Sequence, residues 1–389
     1  MSRKSACLRP ARLALQVLLM ACGALLASLA PAIGAPAIGA PGAAAQVVDL
    51  AAVQRATRKP DAMDRATRID ALDAARDVNG LAAELQSLLA TPGDAIAREW
   101  LLDRGLHALA RQTPSTAARR VVNEIAQRHP EVLVRADPDH VRRAVPLYDP
   151  GATARFVLAR WTRTSAREAA RAALASGSAA PIEEFASHDV ATRAGIVDAF
   201  AELPLASLAH HRDAILGALE RGERIDELAL AAAARLRDAG LFAGVIGYAS
   251  GATSLAAVRD ARATLGNATA LDVLTGATQR PEVASAALLQ IGALAREDVS
   301  AREVLFAALD DADSAPSAAA ALGELHDPVV AARLGERLRT SRSERDLRHG
   351  VLALKLDGSA AARAELERFT RLRSGSAQLQ KEVRTWLAQ

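Results

Sequence analysis

The chain has 389 residues, half of them apolar and only 3% aromatic. Abundant alanine with few aromatic or β-branched side chains suits close helix–helix contact and suits a β-sandwich poorly, so an all-α fold is expected. The net charge of +3 is more than accounted for by four cations ahead of residue 46, where there is no acid; the remainder carries −1, and no nucleic-acid partner is expected.

The first residues read as an export leader. Arg3, Lys4, Arg9 and Arg12 precede an uncharged apolar run over 13–29, followed by an Ala/Pro-rich stretch with a duplicated PAIGA. Basic, apolar, then small residues is the order of a secretory signal, and Ala43-x-Ala45 before Gln46 is the best cleavage site. Residues 1–45 are therefore expected to be a signal peptide and linker. The mature chain is expected to be periplasmic or secreted, with no stable membrane span. The alternatives are a membrane anchor formed by the N-terminal segment, or a lipid anchor at Cys22, because Leu19–Cys22 resembles a bacterial lipobox. Cys7 and Cys22 both lie in the leader, so the mature chain has no disulfide, thiolate metal site or cysteine nucleophile.

Beyond the leader, short helical patterns alternate with Pro, Gly and Asp-Pro. In 61–76, Met63, Ala66, Ile69 and Leu72 form one stripe. In 113–128, Thr113 is placed as N-cap and Pro114 in the first turn, with Ala118, Val121, Val122 and Ile125 on the apolar face. The stretch 129–151 carries Pro130, Pro138, Pro146 and Pro150 and reads as an irregular connection. It divides a divergent N-terminal helical region, 46–150, from helical repeats over 151–389. Asp137, Asp139 and His140 in this connection read as caps around Pro138 rather than metal ligands. Tyr148, Phe156 and Trp161 cluster in sequence as a candidate pocket or structural plug.

Ser165–Glu168 and Ser300–Glu303, both SARE, have the form of capping boxes that start helices. His210 and His211 are neighbours that a helix would point about 100° apart, so they are not a metal pair and read as a solvated face. Further on a period emerges. Ile291-Gly-Ala-Leu294 returns as Leu322-Gly-Glu-Leu325, a step of 31 residues from 291 to 322, and the same step reaches Leu356. In the central copy Ala318, Leu322 and Leu325 give a narrow stripe, and Gly323 admits a close neighbour. Asp327 caps the next helix, Pro328 opens it, and Val330, Leu334 and Leu338 return it onto the first. Stacked copies of such a hairpin bury what one hairpin cannot.

The segment ALGELHDPVVAARLGERL (321–338) resembles the HEAT-type repeat in its short bacterial, PBS-lyase-like form, clearest over 282–372. The resemblance implies a right-handed α-α superhelix of HEAT/armadillo type. It also implies a protein-binding role for most members and action on bilins for a few. The second helices of such repeats would carry Arg302, Arg333, Arg337, Arg363 and Arg368 among Glu303, Glu336, Glu365 and Glu367, a salt-bridge-laced face and the candidate interaction surface. No phosphate loop, His-Glu-x-x-His or nucleophile elbow occurs, so no catalytic, cofactor or metal residues are assigned and no cofactor is expected. The expected function is an exported, non-catalytic protein–protein interaction scaffold with a protein or peptide partner. The alternative is a lyase-like HEAT enzyme or accessory with a groove site.

Overall fold

The computed structural model describes residues 45–135, 144–372 and 375–388. The leader with Cys7 and Cys22, and residues 137–140 with His140, lie outside the described residues. Among the described residues the chain forms 21 α-helices, one short 3-10 turn and three short strands, an all-α fold. The N-terminal part runs β1 (Gln46–Val48), α1 (Leu50–Thr57), α2 (Pro60–Ala74), α3 (Val78–Ala90), α4 (Ala95–Leu109), α5 (Thr116–Ala126), β2 (Val132–Arg135) and β3 (Ala144–Pro146). There follow α6 (Pro150–Ala175), α7 (Ala180–Glu183), α8 (Val190–Glu202), α9 (Leu205–His210), α10 (Arg212–Glu220), α11 (Asp226–Leu236), α12 (Ala239–Tyr248) and α13 (Gly251–Thr264). The C-terminal part is α14 (Asn267–Ala277), α15 (Pro281–Leu294), α16 (Val299–Ala308), α17 (Ala315–Gly323), α18 (Pro328–Thr340), α19 (Glu344–Asp357), α20 (Ala360–Leu372) and α21 (Ala377–Leu387).

Most helices start on an aspartate or serine whose side chain accepts a backbone N–H of the first turn. Asp49, Asp77, Asp94, Ser115, Asp149, Asp189, Asp238, Asp298, Asp327, Ser343 and Ser376 all do so. Asp327 and Pro328 sit as the sequence predicts, with Asp327 Oδ1 2.8 Å from the N–H of Val329. Three other starts differ. Ser115, not Thr113, caps α5. The Ser300 box fails because Asp298, two residues earlier, takes the N–H of Ser300 itself at 2.7 Å. The Ser165 box lies inside α6, because no Pro or Gly interrupts the chain between Gly151 and Gly177, whose φ of +86° ends the helix. On α2 the buried stripe is Ala62, Ala66 and Ile69, and Met63 is exposed.

Packing is serial. Along one row α2 lies on α4, α4 on α6, α6 on α8, α8 on α11, and then α11, α13, α15, α17 and α19 each on the next. The helices between them bridge neighbours of this row, which makes the fold repeat-like. The row closes to backbone contact at Gly323 of α17, where an added Cβ would lie 2.7 Å from the Ala353 carbonyl of α19. Successive corners are also tied. Arg302 donates from Nε to the Ala295 carbonyl (2.7 Å) and pairs with Asp327 at 2.9 Å. His326 Nδ1 sits 2.8 Å from the Asp357 carbonyl. One expectation is corrected: α18 does not fold back chiefly on α17 but packs on α19 and α20. Gly335 explains the fit to α20, since it leaves room only for the Glu365 carboxylate.

Among the described residues strand structure, unforeseen in the sequence, is confined to one small sheet of order β1-β2-β3, parallel then antiparallel, with Val48, Val134 and Val145 in one row. Its inner side joins Val53, Ala56 and Ile96 in a minor apolar cluster. Two larger cores meet on α6. The first ends with Ala154, Val157 and Trp161; the second begins with Ala170 and Leu174 and continues to Val383.

Candidate interaction surface

The five arginines singled out in the sequence do not form one ridge. Arg302 is turned into the corner contacts described above. Arg363 donates to the Leu387 carbonyl at the end of α21. Arg368 pairs with Glu365 on its own helix, and Glu365 also takes Arg339 at 3.0 Å. Arg333 and Arg337 do come together. They line a groove of about 430 Å³ between α16 and α18 with Glu303, Phe306, Asp310 and Thr340. Arg333 grips Glu303 with both terminal nitrogens, Nη2 at 2.7 Å, and its guanidinium lies 3.9 Å over the Phe306 ring. Arg337 pairs with Asp310. The hydrogen bonds raise the Arg333 pKa and hold the Glu303 carboxyl below its usual range. Arg333→Ala should lower stability by about 0.5–1 kcal/mol, the worth of an exposed cation–π contact. The solvated ion pair adds little. A melting curve, together with dye binding to the uncovered Phe306, checks this.

The aromatic trio is likewise dispersed. Trp161 is buried in the first core, and its Nε1 donates to the carbonyls of Leu109 (3.2 Å) and Gln112 (3.0 Å), satisfying the end of α4. Tyr148 is half-buried against the minor cluster, where burial and the nearby Asp103 push its phenol pKa up. Phe156 is 56% exposed. The histidine pair also splits. His210 is exposed, but His211 is buried at the break between α9 and α10, with Nε2 3.2 Å from the Leu174 carbonyl, so it is not on a solvated face.

Phe156 belongs to a second groove, of about 750 Å³, between α6 and α8. One face of α6 presents Phe156, Arg160, Arg163 and Arg167 to it, and α8 contributes Asp189, Val190, Ala194 and Asp198. The helices touch at Gly195, where an added Cβ would lie 2.2 Å from the Arg163 carbonyl. Arg163 holds Asp198 through Nε (2.5 Å) and Nη2 (2.7 Å), and Arg167 reaches Glu202 at 3.4 Å. Arg163 accordingly depresses the Asp198 pKa, mainly through the hydrogen bond. The sequence signal was present in the spacing of Phe156, Arg160, Arg163 and Arg167. It shows only if 150–175 is a single helix, and a helix start at Ser165 conceals that.

One buried acid was also missed. Glu99 on α4 is 3% exposed, and Oε1 accepts the N–H of Glu131 at the entrance to β2. The nearby N–H of Val132 also favours its charged form. Arg98 and Arg128 pair with Glu131 beside it. Burial pushes the Glu99 pKa up, against those N–H groups. Among the described residues no cluster of His, Cys, Asp and Glu is placed to hold a metal, and no helix is long and apolar enough to cross a membrane.

What the geometry defines is thus an all-helical, repeat-like protein with grooves between alternate helices. Comparisons with family models, with curated proteins and with solved structures each return no match.

Proposed function

We propose that the chain is an exported, non-catalytic scaffold that binds a protein or peptide on a HEAT/armadillo-type superhelix. The supporting observation is the serial helix packing, which leaves side-by-side helices such as α6 and α8 with an open groove between them. Such an array presents a long surface without a central cavity. Periplasmic or secreted placement rests on the basic–apolar–small order of the leader alone.

The test is affinity capture from an envelope extract with the tagged protein, with untagged protein as competitor. The reading expects a reproducible protein partner that the competitor displaces. Turnover of a small molecule with no displaceable partner would overturn it. The lyase-like alternative has one observation in its favour, the buried acid Glu99 with its raised pKa. Its Oε1 is already engaged by the β2 entrance, which favours a structural role over an acid–base one.

A further inference from the structure

Resting on the scaffold reading, we propose that the α6–α8 groove receives an extended peptide in which an apolar side chain is followed, two and four residues on, by carboxylates on the same face. The inference comes from the contrast between the two grooves. Between α16 and α18 the aromatic is covered: Phe306 is 7% exposed beneath Arg333, and Arg333 and Arg337 are each neutralised by an acid on the opposite wall. That groove has no unmet charge and little open apolar surface. Between α6 and α8 the same ingredients are left open. Phe156 is 56% exposed and Val190, on the facing helix, 73% exposed. Arg160, one turn beyond Phe156, is exposed and has no ion-pair or hydrogen-bond partner among the described residues.

Charge points the same way. Both aspartates that line the groove are already engaged. Asp189 caps α8 through the N–H of Thr192 (2.9 Å) and takes its hydroxyl (3.1 Å), and Asp198 is gripped by Arg163. Asp198 uses Nε and Nη2 of Arg163, which leaves Nη1 directed elsewhere on a side chain 53% exposed. The groove therefore offers one whole guanidinium at Arg160 and spare donors on Arg163, the geometry that carboxylates accept. Its apolar floor would be wetted unless a partner's apolar side chain covers it.

Length sets the form of the occupant. The stripe from Phe156 to Arg167 runs about 16 Å along α6, the reach of about five extended residues. An apolar side chain seated on Phe156 and Val190 would place carboxylates two and four residues further on, on the same face of the peptide, at Arg160 and Arg163. A hydrophobic anchor beside paired charges is the usual composition of an energetically decisive contact.

The experiment is fluorescence polarisation of the purified protein with a short fluorescein-labelled peptide carrying Phe or Leu followed at the second and fourth positions by Asp or Glu, with Ser or Thr between. The control peptide replaces each acid with Lys. The acidic peptide should bind, more weakly as salt rises, and the lysine peptide should not. Phe156→Ala and Arg160→Glu should each weaken binding at least about tenfold. Both positions are exposed, so melting curves should be unchanged, and Arg333→Glu in the other groove should leave affinity as it was. The inference is overturned if the acidic peptide does not bind, if the lysine peptide binds equally, or if both groove variants bind like the parent. It is also overturned if the groove variants instead lose binding to anionic vesicles or single-stranded DNA. If affinity capture yields a partner that survives the Phe156→Ala/Arg160→Glu double variant, the groove assignment fails and the scaffold reading stands. If no partner is captured, the scaffold reading itself fails.

Discussion

Leu322→Ala should destabilise the protein by roughly 2–5 kcal/mol, towards the upper part of the range for a buried leucine. Leu322 is completely buried on α17, between α15 and α19. Its neighbours on the helix are Ala318, Ala319, Ala321 and Gly323, side chains too small to swing into the space a deleted isobutyl group leaves. The contact of Gly323 with the backbone of α19 also stops that helix from moving inward, because the two are already touching. The cavity should therefore persist, and a persistent cavity is what raises the cost. The damage should be local. Leu322 belongs to the core that begins on α6 at Ala170, whereas Ala66 through Trp161 form another. In a serially packed chain each element depends mainly on its neighbours. Hydrogen exchange on the variant should show lost protection over α15–α20, with α2–α5 little changed, and denaturant unfolding should give the magnitude. Equal loss of protection along the whole chain would mean one cooperative core and would remove the basis for a repeat array.

The helical class and the Asp327-Pro328 start of α18 were legible because they rest on local chemistry, whereas the helix on which α18 folds was not. Alanine abundance, Asp-Pro at a helix start and Leu at steps of four each act within one or two turns. What was not legible depends on competition or on distance. Two serines three residues before glutamate looked like helix starts. Asp298 outcompetes Ser300 as a cap, and nothing breaks the chain at Ser165. That second error concealed the longest helix among the described residues and with it the stripe from Phe156 to Arg167. The arginines of 302–368 looked like one ridge because their spacing is regular in sequence. Their partners lie up to 30 residues away, as with Arg333 and Glu303, and these contacts send each guanidinium in its own direction. The sheet was missed for a similar reason. Strands of three or four residues have too few positions to display alternation, and β1 finds β2 only after five intervening helices. His211 was misplaced because the helix breaks beside it, turning one histidine inward while its neighbour stays in solvent.

Glu99 should make the protein more stable as pH falls, against the direction set by its ion-paired neighbours. Its carboxyl is buried, with Oε1 on the N–H of Glu131 and Oε2 without a hydrogen-bond partner. Burial raises its pKa above the usual glutamate range, and the adjacent Glu131 charge adds to the rise. A carboxyl whose folded pKa exceeds its unfolded one binds its proton more tightly in the native state. The native state therefore loses stability as pH climbs from the ordinary glutamate range to the elevated value. Glu131 has the opposite sign: although burial opposes it, Arg128 and Arg98 hold its pKa down, and its contribution is lost as pH falls through that lowered value. The two are separated by taking differences. Glu99→Gln is isosteric with the protonated acid, so parent and variant should be closest in stability at acid pH. Above that window the variant should gain relative to the parent by an amount that stops growing once Glu99 is fully ionised. Glu99→Ala should behave differently, because it leaves the N–H of Glu131 without its acceptor. An orphaned buried donor costs about 1–3 kcal/mol, and the loss should appear at every pH, with exchange protection failing first at β2 and at β1, which pairs with it. Urea unfolding of the three proteins across the acid-to-neutral range reads both effects. A Glu99→Gln profile parallel to that of the parent would mean that Glu99 ionises in its ordinary range, and that the N–H groups of the β2 entrance outweigh its burial.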